Sequence, residues 1–142
     1  MSTRAGGYSG TPLPKKLGIR EGARVALVHA PKGFLDLLEP LPPGVELLRG
    51  VRGPLDVIVF FTKRSSQLVR RFPALAKALA PAGGLWIAWP KQASGVETDL
   101  AFQVVQAVGL AAGLVDNKVC AIDEVWSGVR FVIRLRDRRS DG

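Results

Sequence analysis

Apolar residues along this chain fall into short dense runs separated by polar, Gly- and Pro-rich stretches. The first run, Arg24–His29 (RVALVH), lies between Gly22 and Pro31 and reads as a buried strand. Phe34–Leu38 fits a short helix, stopped by Pro40, Pro42 and Pro43. Val45–Leu48 is a second, short strand. Asp56–Phe61 (DVIVFF) is uniformly apolar after its first residue, as a strand covered on both faces must be. Ser65 or Ser66 can cap the next helix, where Leu68, Phe72, Leu75 and Leu79 keep helical spacing and Pro73 predicts a kink or restart.

Ala82–Gly83–Gly84 then predicts a turn into the strand Leu85–Trp89. Thr98 or Asp99 opens a second long helix with Leu100, Val104, Val108 and Ala111 on one face. Two closing strands, near Asn117–Glu124 and Val129–Leu135, are joined by a turn at Trp126–Ser127–Gly128 too tight for anything but antiparallel neighbours. Alternating strands and helices imply an α/β fold with a mostly parallel sheet and right-handed crossovers. The expected sheet has six strands in the order 2-1-3-4-6-5, with strand six antiparallel. Residues 1–18 read as an irregular lead-in with a short turn at Lys15–Leu17, residues 19–136 as one α/β domain, and 137–142 as a polar tail.

Composition narrows the functional classes. An apolar share of 47% over 142 residues supports a real core. No stretch approaches the roughly 18 apolar residues of a membrane helix, so no membrane partner is expected. The opening residues lack an apolar leader, and Cys120 is the only cysteine, so no internal disulfide can form. A reducing cytoplasm is the expected setting. The net charge of +8 is uneven: +4 over residues 1–24, +1 over 25–129 and +3 over 130–142. Basic ends can contact nucleic-acid phosphates or serve as solvated tails.

Two resemblances attach to particular residues. Leu79-Ala-Pro-Ala-Gly-Gly-Leu-Trp-Ile-Ala-Trp89 resembles the L-x-P-G-G-x-L helix-to-strand turn of S-adenosylmethionine-dependent methyltransferases. Asp56–Phe61 is similar to the strand before it in that family, and the closing hairpin to its last two strands. The resemblance implies a three-layer Rossmann-like fold over residues 24 to 135, with one strand and its flanking helices missing. Separately, Tyr8–Gly18, Trp89-Pro-Lys91 with Ser94-Gly95 and Thr98-Asp99-Leu100, and Val119–Gly128 resemble a family of short bacterial proteins of unknown function. That second resemblance implies no activity.

The methyltransferase pattern breaks where its chemistry would reside. That family binds its cofactor with a Gly-rich loop after the first strand and a carboxylate at the tip of the second. Here the loop reads His29-Ala-Pro-Lys-Gly33 and the second strand ends in Leu48–Arg49–Gly50, so no cofactor is expected and methyl transfer is not. One histidine and one cysteine cannot build a usual zinc site, and there is no G-x-S-x-G elbow or P-loop. Cys120 reads as a small core residue. Asp123 and Glu124, adjacent in a strand, would face opposite sides, as would Trp86 and Trp89.

What remains is a polar rim at the carboxyl ends of the strands, where open α/β sheets bind ligands. It would gather His29, Lys32, Thr62, Lys63, Arg64, Ser65, Lys91 and Ser94. Four cations beside a helix start suit an anionic small molecule or partner. A nucleic-acid-associated protein using its basic ends, and a small-molecule enzyme using His29 or Lys63, are the competing readings. Tyr8–Leu17 could fold over the rim as a lid.

Overall fold

A computed structural model describes residues 11–138. In chain order the elements are α1 (Leu13–Lys16), β1 (Arg24–Val28), α2 (Phe34–Leu38), β2 (Glu46–Leu48), β3 (Leu55–Phe61), α3 (Ser65–Lys77), β4 (Leu79–Pro90), α4 (Phe102–Ala111), β5 (Leu114–Ala121) and β6 (Trp126–Ile133). Short 3-10 turns follow β4 and β6. The six strands lie in the order β2-β1-β3-β4-β6-β5, as expected, with β2, β1, β3 and β4 parallel. Only β6 runs against them, pairing antiparallel with β4 and with β5.

The uninterrupted apolar strands are explained by two packed faces. Ile58 and Phe60 of β3, with Leu85, Ile87 and Trp89 of β4, meet Leu68, Phe72 and Leu75 of α3 and Val105 of α4. The alternate residues Val57, Val59, Phe61, Trp86 and Ala88 meet α1 and α2 through Leu13, Leu17, Phe34 and Leu38. Trp86 and Trp89 thus take opposite faces, as their odd spacing requires. The Trp86 Nε1–H donates to Leu17 O at 3.0 Å, so the buried indole is satisfied by the segment that covers it. Residues 11–17 therefore lie on the sheet face and do not form a lid over the rim; Tyr8–Gly10 of the expected lid lie outside the described residues.

Several element boundaries differ from the sequence reading, each for a local reason. α1 forms where only a turn was expected. Pro73 does not interrupt α3: it is exposed, opposite the buried Leu68–Phe72–Leu75 face, where water can take the carbonyl its missing N–H leaves unpaired. β4 begins at Leu79, not Leu85. Leu79 pairs with Leu55 and Gly84 with Val57, so residues 80–83 swell out of the ladder as a bulge in place of the expected turn.

α4 also starts later and faces differently than expected. Thr98 and Asp99 precede it and bond back to the start of α3, and Ala101 takes the N-cap position. Its buried residues are Val105 and Gly109, while Val104 is exposed. An ideal Cβ on Gly109 would fall 2.1 Å from the Phe131 ring, so this glycine lets the helix lie directly on β6. The hairpin turn sits four residues upstream of its expected place. Asp123 Oδ1 accepts from the N–H groups of Val125 and Trp126, both at 2.8 Å, closing the loop between Ala121 and Trp126. Asp123 and Glu124 are turn residues, not strand residues. Trp126, Ser127 and Gly128 open β6 opposite Pro90, Trp89 and Ala88. Gly128 is there for space: a Cβ would meet Ile122 at 2.8 Å.

Candidate functional site

β1 and β3 are neighbours in the sheet, but the chain leaves them towards opposite faces, to α2 and α3. This is the switch point of the topology, where the loops diverge and open a crevice. A cleft of about 510 Å³ lies there. His29 and Pro31 come from the loop after β1, and Phe61, Thr62, Lys63 and Arg64 from the end of β3 and the loop after it. Gln67 of α3 and Trp126 of β6 complete it.

The apolar part is an aromatic stack. Phe61 packs edge-on against Phe34 (4.9 Å between centroids, 71°) and against Trp126 (5.1 Å, 86°). Such edge-to-face pairs hold both rings in fixed orientations. His29 has φ 59°, the one positive φ of a non-glycine among the described residues. A non-glycine there costs about 1 kcal/mol or more, and such residues concentrate at functional sites. Its ring lies 5.5 Å from that of Phe60, which also carries the Arg71 guanidinium at 5.5 Å.

The polar part is tightly bonded within itself. Thr62, 3% exposed, donates its hydroxyl to Gln67 Oε1 at 2.5 Å and accepts from the Arg64 N–H at 3.3 Å. The Gln67 carboxamide is thereby fixed with its oxygen engaged. Asp99 arrives from 34 residues downstream to cap α3: Oδ1 accepts the Ser65 N–H at 2.8 Å and Oδ2 the Ser65 hydroxyl at 3.0 Å. These bonds, the backbone one foremost, hold the Asp99 carboxyl below its ordinary pKa, with a smaller contribution from Arg64. The anion at the start of α3 is supplied by the chain. Thr98 strengthens the tie by donating its hydroxyl to Lys63 O at 2.7 Å.

Of the eight residues expected at the rim, His29, Thr62, Lys63 and Arg64 line the cleft. Ser65 is not among the lining residues, and its N–H and hydroxyl are committed to Asp99. Lys32, Lys91 and Ser94 do not line it. Ser94 is spent locally, donating to Lys91 O at 2.7 Å and accepting the Val96 N–H at 3.1 Å. Sequence reasoning missed Pro31, Phe61, Gln67 and Trp126. Phe61, as the last residue of β3, could have been found from the strand run. Trp126 was hidden by its reading as a turn residue. Among the described residues no three metal-ligating side chains converge, and no helix is long and apolar enough to cross a membrane.

No family model matches the chain, and no curated protein matches it. Solved structures do. An O-methyltransferase of neocarzinostatin biosynthesis, bound to S-adenosylmethionine and 2-hydroxy-5-methyl naphthoic acid, matches with TM-score 0.59 and 14% identity over 79% of this chain. A methyltransferase dependent on the same cofactor, from Aquifex aeolicus, matches with TM-score 0.57 and 16% identity. The alignment covers 82% of this chain and 85% of that one. The fold is methyltransferase-like. The ribosomal protein L11 methylase of Lactobacillus delbrueckii subsp. bulgaricus, at TM-score 0.53 and 14% identity, covers 80% of this chain and 71% of its own. The chain spans about half the length of the neocarzinostatin enzyme. At these identities the likeness is one of fold.

Proposed function

We propose that this methyltransferase-like module binds an organic anion in the cleft at the β1–β3 switch point and does not transfer methyl groups. The observation that carries the reading is the cleft's division into an apolar wall, Phe61 and Trp126, and a cationic lip, Lys63 and Arg64. A flat apolar body against the rings with a carboxylate or sulfonate towards the lip satisfies both. A bare inorganic anion is less suited, because Asp99 already occupies the start of α3.

S-adenosylmethionine does not fit these residues. The loop after β1 brings His29 and Pro31 to the cleft where the family places glycines, and the chain leaves β2 through Arg49 with no carboxylate at the strand's tip. The neocarzinostatin enzyme's naphthoic ligand is a flat aromatic acid, the chemistry proposed here.

Titration with 2-naphthoate, followed by tryptophan fluorescence and amide shifts, tests the reading. Saturable binding is expected, at least tenfold weaker in Lys63→Ala/Arg64→Ala, while neutral 2-naphthalenemethanol is insensitive to those changes. Trp126→Ala should weaken both ligands. Naphthoate binding that is absent, or indifferent to all three substitutions, refutes the site. S-adenosylmethionine with a dissociation constant below about 100 μM, roughly −5.5 kcal/mol, would overturn the exclusion of methyl transfer.

A further inference from the structure

At the other end of the sheet, the amino ends of the parallel strands open onto a second cleft of about 440 Å³. The loop between α1 and β1, Asp56 of β3, Ala82 in the bulge of β4, and Arg130 of β6 form its walls. Arg130 is seated deliberately. A Cβ on Gly84 would stand 2.3 Å from its Nε and 2.7 Å from its Cζ, so the guanidinium lies in the space that glycine leaves.

That seat is partly out of water and lacks a counter-charge. Among the described residues, Arg130 Nη1 donates to the neutral Asn117 Oδ1 at 3.3 Å, and no carboxylate lies within the 4.0 Å of an ion pair. Burial works against its charged form, and so do the nearby cations Arg138 and Arg20. Arg138 uses its Nε on Ile133 O, and Arg20 is exposed on the α1–β1 loop. Two carboxylates do reach this cleft without pairing with these arginines. Asp56 Oδ2 accepts the Arg24 N–H at 2.8 Å, and Glu21 is exposed.

Half-buried cations are ordinarily paired, because an unpaired charge loses hydration with nothing in return. Here three arginines from distant parts of the chain are brought together instead. Arg20 belongs to the basic stretch at residues 1–24, and Arg130 and Arg138 to that at 130–142. Described residues of both basic stretches, separate in sequence, thus meet on this edge: Arg20 and Arg130 line the cleft, and Arg138 acts on Arg130.

We infer that this edge is a phosphate-binding site, with Arg130 at its centre and Arg20 and Arg138 beside it. Guanidinium groups present planar paired donors matched to phosphate oxygens, and a dianion would relieve the repulsion among the three. The phosphate belongs either to a small free molecule or to a nucleic-acid backbone; the chemistry of the site is the same. It is independent of the cleft at Phe61 and Trp126.

The test compares thermal unfolding in pyrophosphate with chloride of matched ionic strength, and adds anisotropy of a labelled single-stranded oligonucleotide. Wild type should gain several degrees in pyrophosphate, or bind the oligonucleotide with a salt dependence, or both. The first result alone assigns a small phosphate and the second alone a nucleic-acid backbone. Arg130→Gln should lose whichever response wild type shows, with a melting temperature in chloride no lower than wild type's. Arg20→Gln, an exposed change, should weaken it, and Lys63→Ala/Arg64→Ala should keep it. Wild type indifferent to both probes overturns the site, as does an equal response in wild type, Arg130→Gln and Arg20→Gln.

Discussion

Gly109→Ala is ordinarily a stabilising change, and in this fold it should be the reverse. Alanine inside a helix is worth about 1 kcal/mol over glycine by propensity. Against that stands the geometry: the new methyl would lie 2.1 Å from Phe131 Cε1, 2.5 Å from Cδ1 and 2.6 Å from Cζ. Phe131 is fully buried and cannot turn aside freely, because Phe72 packs edge-on against it at 5.5 Å and 87°. Relief requires lifting α4 from β6 or displacing both rings. Overpacking of this kind costs about 1–3 kcal/mol, and a contact this short belongs at the upper end. The net expectation is a loss of about 1–2 kcal/mol, read by urea unfolding as a lower midpoint at unchanged slope. Phe131→Leu makes room for the methyl, so the double variant should lose less than the sum of the two single changes. A Gly109→Ala protein as stable as wild type, or strictly additive double-variant energies, would refute the close approach of α4 to the sheet.

Two further outcomes follow from hydrogen bonds described above. Asp99 has a depressed folded-state pKa, so its stabilising contribution is present above the unfolded carboxyl value, about 3.9, and disappears as pH falls through the lower folded value. Wild type should therefore melt above Asp99→Ala at neutral pH and converge on it in acid; a difference constant with pH contradicts the cap. Trp86→Phe leaves Leu17 O buried without its donor, at a cost of about 1–3 kcal/mol, with amide exchange accelerated first in α1; unchanged exchange at Leu17 and Ile19 would count against the tie.

The sheet was legible because burial on both faces leaves a local mark. Val57 to Phe61 and Leu85 to Trp89 are apolar without interruption, and the order of the strands follows from their connections. Helix faces were less legible where a glycine makes the contact. Gly109 carries no hydrophobic signal, so the apolar stripe of α4 was placed one position away from the face that is buried. The candidate cleft was half legible. Residues following a strand end, such as His29 and Lys63, are found by counting; Trp126 depended on the hairpin turn, which the Asp123 carboxylate sets four residues upstream. Contacts between distant positions left no trace. Neither the grip of Asp99 on Ser65 nor the meeting of Arg20, Arg130 and Arg138 can be read from neighbouring residues, since each is created by the sheet order itself.

β5 ends the sheet, and Lys118 sits in the middle of its exposed stretch beside the exposed Val119. Its ammonium group donates to Lys16 O at 3.0 Å, while the Lys16 ammonium donates to Ala121 O at 3.0 Å. The two lysines lace α1 to the outermost strand by reciprocal bonds. An open strand edge is a template on which another chain can add, and a charged side chain along it discourages that addition. Lys118 therefore serves two purposes at once, as a fastening for α1 and as a guard against edge-to-edge association. Loss of that one side chain would loosen the helix and leave Val119 on an unguarded edge, so that fraying of the amino-terminal helix and self-association of the protein become a single event.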